Sequence, residues 1–332
     1  MDHPSVIVLG ANGRFGRAAT EAFAAAGWRV LAQLRRAPSS PLPPGAEALL
    51  LPLADTAGLA AAVAGACAVV HAVNPPYTRW QQDLLPMARL GMALAQRLGA
   101  RFLLPGNVYG YGEGMPATLT EATPERPTTD KGRLRQTLEA EMAQRSQDAA
   151  APLHATVIRA GDFYGSGTGS WLDLIIAKDL ARGRLRYPGP MDLPHAWAYL
   201  PDLACAFVDA AAQPLSLPGV QRLHFEGHTL TGTQLLGAVE AAAGDLGLTP
   251  KRGWQRRRMS WWPLKLAALV WPMGREIVDM AYLWRVPHAL DGRALRAALG
   301  PLPDTPVRQA MRSALVALGH ASPAGIPAGQ ST

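Results

Sequence analysis

The sequence predicts an α/β protein. A doubly wound parallel sheet is expected over residues 1–162, followed by a smaller, mainly helical lobe over 163–332. Three observations predict it. Short apolar runs alternate with stretches of helical periodicity through the first half. The runs are continuous rather than alternating, as in strands buried on both faces. After residue 162, glycine, proline and tryptophan punctuate the chain and strand signals thin out.

The elements follow in order. SVIVL (5–9) is a β-branched run that leads into glycine. Residues 14–26 place Phe15, Ala18, Ala19, Ala22 and Phe23 on one side of a helix. WRVLAQL (28–34), EALLLPL (47–53), ACAVVHAV (66–73), RFLLPG (101–106) and HATVIRA (154–160) repeat the strand signal. Helical stretches at 56–64, 79–98 and 131–147 lie between them. Strand alternating with helix implies a parallel sheet covered on both faces. APSSPLPPG (37–45) is a proline-rich surface loop. In the lobe, helices are expected near 171–182, 201–212, 231–244, 259–270, 275–284 and 305–318. Strands near 195–199 and 221–226 are expected to complete the sheet or link to it.

Bulk properties exclude some classes. With 332 residues, 48% of them hydrophobic, the chain suits one large or two ordinary domains. The formal net charge of +7 is spread along the chain, apart from a cluster at 251–258. It fits anionic small ligands, and nucleic acid has no motif behind it beyond the charge. Cys67 and Cys205 lack the paired spacing of a metal site, so no metal and a reduced, cytoplasmic setting are expected. No signal-peptide pattern opens the chain. No apolar run approaches the roughly 20 residues of a membrane span.

The strongest local motif is V-L-G-A-N-G-R-F-G (8–16). Gly10, Gly13 and Gly16 follow a strand and open a helix, the context of a dinucleotide cradle. Glycine lets the backbone turn sharply and approach a pyrophosphate, while the helix N-terminus offers free N–H groups. Asn12, Arg14 and Phe15 belong to the same loop, and the fold is therefore expected to be of Rossmann type. The second strand ends Gln33-Leu34-Arg35-Arg36 with no acid nearby. Acidic residues there hold NAD ribose, whereas arginine suits a 2′-phosphate, so NADP is expected over NAD. The alternative is that both arginines only solvate a strand end.

These residues resemble the extended short-chain dehydrogenase/reductases, the NAD-dependent epimerase/dehydratase group. G-A-N-G-R-F-G matches its glycine motif. His71-Ala72-Val73-Asn74 falls where its fourth strand ends beside the cofactor. Asn107-Val-Tyr109-Gly resembles its V-Y-G signature, and Arg159-Ala-Gly-Asp-Phe-Tyr-Gly its turn into the substrate lobe. Ala198-Tyr-Leu-Pro-Asp-Leu-Ala resembles a helix start of the family. The resemblance implies cofactor contacts from His71 and Ala72, and a later aspartate, Asp55, kept on the adenine side. It also implies a homodimer through helices 79–98 and 131–147.

The family's catalytic pair is Y-x-x-x-K. Pro127 stands four residues before Lys131, and none of the other lysines, 178, 251 and 265, has tyrosine there either. The expected Ser or Thr after the fifth strand is replaced by Pro105-Gly106-Asn107. Three readings of Lys131 stay open. It binds nicotinamide ribose and relays a proton, it anchors cofactor without chemistry, or it is a surface lysine. Thr129 or Asp130 is expected to cap the helix that Lys131 enters. Asn107 and Tyr109 are the other catalytic candidates, as groups near a substrate oxygen. For each the plain alternative is a turn-forming asparagine and a packed structural tyrosine. Tyr111, Tyr164 and His195 are further proton donors. Lys251–Met273 combines basic residues with a tryptophan-rich apolar stretch, the pattern of a membrane-surface helix or of a lobe helix over a pocket. The expected function is an NADP-dependent reductase acting on a carbonyl or activated double bond of a small, fairly apolar substrate. A non-enzymatic NADP-binding regulator and a nucleotide-sugar epimerase or dehydratase are the alternatives.

Overall fold

The computed structural model describes residues 3–38, 41–215 and 219–320. The first half runs β1 (Ser5–Leu9), α1 (Arg14–Ala25), β2 (Arg29–Gln33), β3 (Ala46–Leu49), α2 (Thr56–Ala62) and β4 (Ala68–His71). It continues with α3 (Trp80–Leu98), β5 (Arg101–Gly106), β6 (Thr118–Leu119), α4 (Asp130–Arg145) and β7 (Ala155–Arg159). Then come β8 (Asp162–Tyr164), β9 (Arg184–Tyr187), β10 (Pro194–Tyr199), α5 (Leu200–Ala212), β11 (Val220–His224), β12 (His228–Thr231) and α6 (Gly232–Asp245). The chain ends with β13 (Gln255–Arg258), α7 (Trp262–Ala267), α8 (Pro272–Asp279), β14 (Ala289–Leu290), α9 (Arg293–Leu299) and α10 (Val307–Ala317).

Seven parallel strands form the central sheet in the order β11-β7-β5-β4-β1-β2-β3. β1 explains the continuous apolar runs. Val6 and Val8 face a core built with Phe15, Phe23 and Phe207 of α1 and α5. Ile7 and Leu9 face the opposite core, with Met92 of α3 and Leu138 and Met142 of α4. Successive side chains of a strand point to opposite faces, so a strand covered on both sides must be apolar at every position. Each such side chain contributes roughly 1.5–3 kcal/mol on burial.

The two lobe strands expected from sequence part company. The 221–226 segment joins the sheet as β11, beside β7. The 195–199 segment does not return to it, and as β10 it pairs parallel with β8 and antiparallel with β12. The lobe is also less helical than its composition suggests. Residues 171–182 give a π-helical turn (Leu172–Ile176) and a 3-10 turn (Leu180–Arg182) instead of one helix. The left-handed Gly183 and the bridge from Asp179 to Arg184 stop it there. β9 and β13 pair side by side, and β6 pairs with β14. Strands of two to four residues are too short to carry a readable period. Among the described residues no helix is long and apolar enough to cross a membrane.

Candidate active site

A cleft of about 1200 Å³ opens between the sheet and the lobe. It lies beyond the ends of β1, β4 and β5, where the strand order reverses around β1 and open α/β sheets bind ligands. Gly10, Asn12, Gly13, Arg14 and Phe15 line it from the glycine loop. Arg35 and Arg36 line it after β2, and His71 and Ala72 after β4.

The loop is shaped as a cradle. Gly10 adopts φ +76, and a Cβ there would meet Val73 at 3.1 Å. Gly13 starts α1 without a side-chain cap, so the first-turn N–H groups face the cleft. No acid stands in that turn to compete with an anion. Gln33, at the end of β2, accepts from the Gly10 N–H at 3.1 Å and donates to the Leu51 carbonyl at 2.7 Å. It therefore braces the loop and leaves Arg35 and Arg36 as the polar groups of that wall. Arg14 donates to the Phe163 carbonyl at 3.1 Å, joining the loop to the lobe. These features fit the pyrophosphate and adenosine of a dinucleotide.

The far end of the cleft gathers proton-bearing groups. The Tyr77 and Tyr109 hydroxyls share a hydrogen bond of 2.8 Å. Burial raises both phenol pKa values, Tyr109 well above the usual 10, so both stay protonated at neutral pH. Tyr109 can then donate to a substrate oxygen but is a poor base. Asn107 lines the cleft, and its side-chain oxygen accepts from the Tyr109 N–H at 3.1 Å, which makes it the brace of that turn. His195 of β10 donates from Nε2 to Asp162 of β8 at 2.9 Å. The carboxylate orients the ring and favours a proton on Nε2. The His195 ring stacks on Trp284 at 4.4 Å and meets His288 at 4.6 Å. His288 is held neutral by burial, its pKa lowered to about 4. Its Nδ1 donates to the Val286 carbonyl at 2.9 Å.

Lys131 is not in this cleft. Its side chain is buried at 4% exposure, ion-paired with Glu276 and with Asp279 at 3.3 Å, both on α8. It lies 5.5 Å from the Tyr77 ring centre. Thr129 caps α4 by accepting from the Gly132 N–H at 3.2 Å, and the helix register then turns Lys131 toward the lobe. One turn on, Arg135 lines the cleft. Its guanidinium lies over the Trp80 ring at 4.9 Å and reaches the Pro105 carbonyl only at 3.5 Å. The Arg135 Nε is buried without a partner, and no carboxylate among the described residues pairs with this side chain. An open guanidinium of this kind fits a polar or anionic ligand group.

Residues 10–170 match the family model described as NAD(P)H-binding. No curated protein matches the chain. Among solved structures, L-threonine dehydrogenase from Clostridium difficile is similar with TM-score 0.72 and 16% identity, over 96% of this chain and 98% of that one. MoeE5 in complex with UDP-glucuronic acid and NAD gives 0.69 and 17%, over 94% and 98%. UDP-glucose 4-epimerase from Thermotoga maritima gives 0.69 and 15%, over 94% and 98%. The chain shares their fold, a parallel α/β sheet of Rossmann type with a smaller lobe.

Where the family that the sequence resembles pairs tyrosine and lysine four residues apart, this chain has Lys131 and Arg135 at that spacing. Looking for tyrosine before each lysine misses this, because the cleft-facing cation is an arginine. Gly132 between them is required by packing, since a Cβ would sit 2.4 Å from the Tyr109 carbonyl oxygen. Two other expected cofactor residues also lie outside the cleft lining. Gly16 sits one turn into α1, where a Cβ would come within 2.4 Å of the Gly10 carbonyl oxygen, so its place is the close packing of α1 on the glycine loop. Asp55 caps α2, accepting from the Gly58 N–H at 2.9 Å. Asp162 and His288 were not foreseen. Asp162 stands at the fourth position of the R-x-x-N-like turn, a readable signal, whereas His288 has none nearby in sequence.

Proposed function

We propose that the chain is an NADP-dependent reductase acting on a carbonyl or activated double bond of a small, fairly apolar substrate. The observation that carries this reading is that one continuous cleft has both chemistries. A glycine cradle with Arg35 and Arg36 stands at one end, and Tyr77, Tyr109, Asp162 and His195 stand at the other. Bound NADPH would supply hydride. Arg135 would hold polar groups of the nicotinamide half, in a corner walled by Trp80 and Leu104. Tyr109 would donate a hydrogen bond to the reacting oxygen. His195, oriented by Asp162, would deliver the proton that balances the hydride, replaced in turn from water. The apolar lining from Trp80, Met87, Val108 and Leu283 supports a substrate with little charge.

The preference for NADP rests on Arg35 and Arg36. The MoeE5 complex contains NAD, so the two nucleotides must be compared directly. Calorimetric titration with NADPH and NADH tests the first half. NADPH is expected to bind about tenfold tighter, or about 1.4 kcal/mol. Following NADPH oxidation across a panel of aldehydes, ketones and enones tests the second half. His195→Gln is expected to lower kcat by about a hundredfold. If neither nucleotide binds, the reading falls.

A further inference from the structure

The lobe leaves one apolar surface uncovered. Eight large hydrophobic residues are exposed among the described residues, and five of them fall between 262 and 271. They are Trp262, Leu266, Leu269, Val270 and Trp271, with Val270 87% exposed and Leu269 72%. They come from α7 and the turn that enters α8, closed by bonds from the Val270 and Trp271 N–H groups to the Ala267 carbonyl. The segment is firmly seated from below. Trp261 donates from its indole to the Pro188 carbonyl at 2.7 Å, and Ala268 is buried.

The surroundings are of one sign. Residues 251–275 hold seven lysines and arginines and no acid. Every residue of β13, QRRR, is exposed. Glu240 neutralises Arg256 at 2.7 Å. Arg257, Arg258 and Lys265 form no ion pair among the described residues. Exposed tryptophan and aliphatic side chains next to unpaired cations match one kind of surface in particular. Apolar groups enter the acyl boundary, tryptophan sits at headgroup depth, and lysine and arginine meet anionic lipid. A helix of six residues cannot span a bilayer but can lie in its surface.

We propose that the 262–271 face, with Arg257, Arg258 and Lys265 beside it, docks the protein on an anionic lipid bilayer. The docked face runs into α8, which is tied to α4 through Lys131 with Glu276 and Asp279 and packs by the turn at Tyr77, a residue of the cleft wall. If the reductase reading holds, an apolar substrate would reach the proton-bearing end from the lipid side. The docking itself does not depend on that reading.

Vesicle flotation of the full chain tests it. Phosphatidylcholine vesicles containing phosphatidylglycerol are expected to carry the protein, and pure phosphatidylcholine vesicles to carry little. Raising salt should release it, since screening shortens to about 3 Å at 1 M. The paired changes Leu269→Ser with Val270→Ser, and Arg257→Ser with Arg258→Ser, should each lower partitioning by about tenfold. Circular dichroism and thermal melting of the variants check that the fold is kept. Absence of flotation with anionic vesicles at low salt overturns the proposal. So does a wild-type dimer that Val270→Ser converts to monomer without any vesicle binding, which would make a second copy the occupant.

Discussion

Arg159 and Arg135 lie near the carboxyl ends of the central strands, and the protein treats them in opposite ways. Arg159 ends β7 with its side chain 4% exposed. Its guanidinium donates to Glu139 at 2.6 and 3.1 Å, to the Tyr111 hydroxyl at 2.7 Å and to Glu125. Arg222 adds a second cation on Glu139 at 2.8 Å, and Tyr111 passes the network to His224 at 2.6 Å. Arg135 has one long bond, one aromatic face and a nitrogen with no partner. A buried charge closed on all sides holds the fold in one arrangement. A charge left open beside a cavity is ready for a ligand.

That contrast can be broken by experiment. Arg159→Met removes one of the two cations on Glu139 and the partner of Glu125, and a broken buried pair costs about 3–5 kcal/mol. A large drop in the urea midpoint is expected. Burial keeps His288 and His71 neutral, with pKa values lowered to about 4 and about 3. The unfolded chain binds these protons near pH 6.5 while the folded one does not, so stability falls as pH drops from about 6.5 toward 4. His288 alone accounts for up to about 3 kcal/mol over that window, and His288→Phe should flatten the pH dependence of the melting temperature. Arg135→Met should leave stability within about 1 kcal/mol of wild type, because it removes a poorly compensated charge. It should still weaken NADPH binding by about 2 kcal/mol in calorimetry, the scale of a charge-assisted hydrogen bond. Equal stability losses at 135 and 159 would end the distinction. Arg35→Ser with Arg36→Ser should cost NADPH about 1.4 kcal/mol and leave NADH unchanged. The smallest effect is expected for Lys131→Ala, which should change NADPH affinity by less than about 0.5 kcal/mol.

The glycine loop and the central strands were legible because each is a local signal. A strand, three glycines and an amphipathic helix fall within the first 26 residues. Arg35 and Arg36 were readable for the same reason. The proton-bearing end was not. Asp162 and His195 are 33 residues apart and meet only because β10 lies beside β8. Trp284 and His288 arrive from a loop that no periodicity marks. Lys131 was legible as an oddity but its direction was not. That depends on the Thr129 cap, which sets which side of α4 faces the cleft and which faces α8.

Scarce lysine now has a mechanical meaning at position 131. Its contact with Asp279 joins positions 148 residues apart and clasps α4 to the segment that carries the exposed tryptophans. Parting the two requires bringing a nearly dry ammonium into water. The clasp is ionic but almost dry on the lysine side, so salt screens it far less than it screens the exposed arginines of β13. The segment that carries the exposed tryptophans is thereby tied to the first turn of α4, and the next turn of that helix sets Arg135 into the cleft.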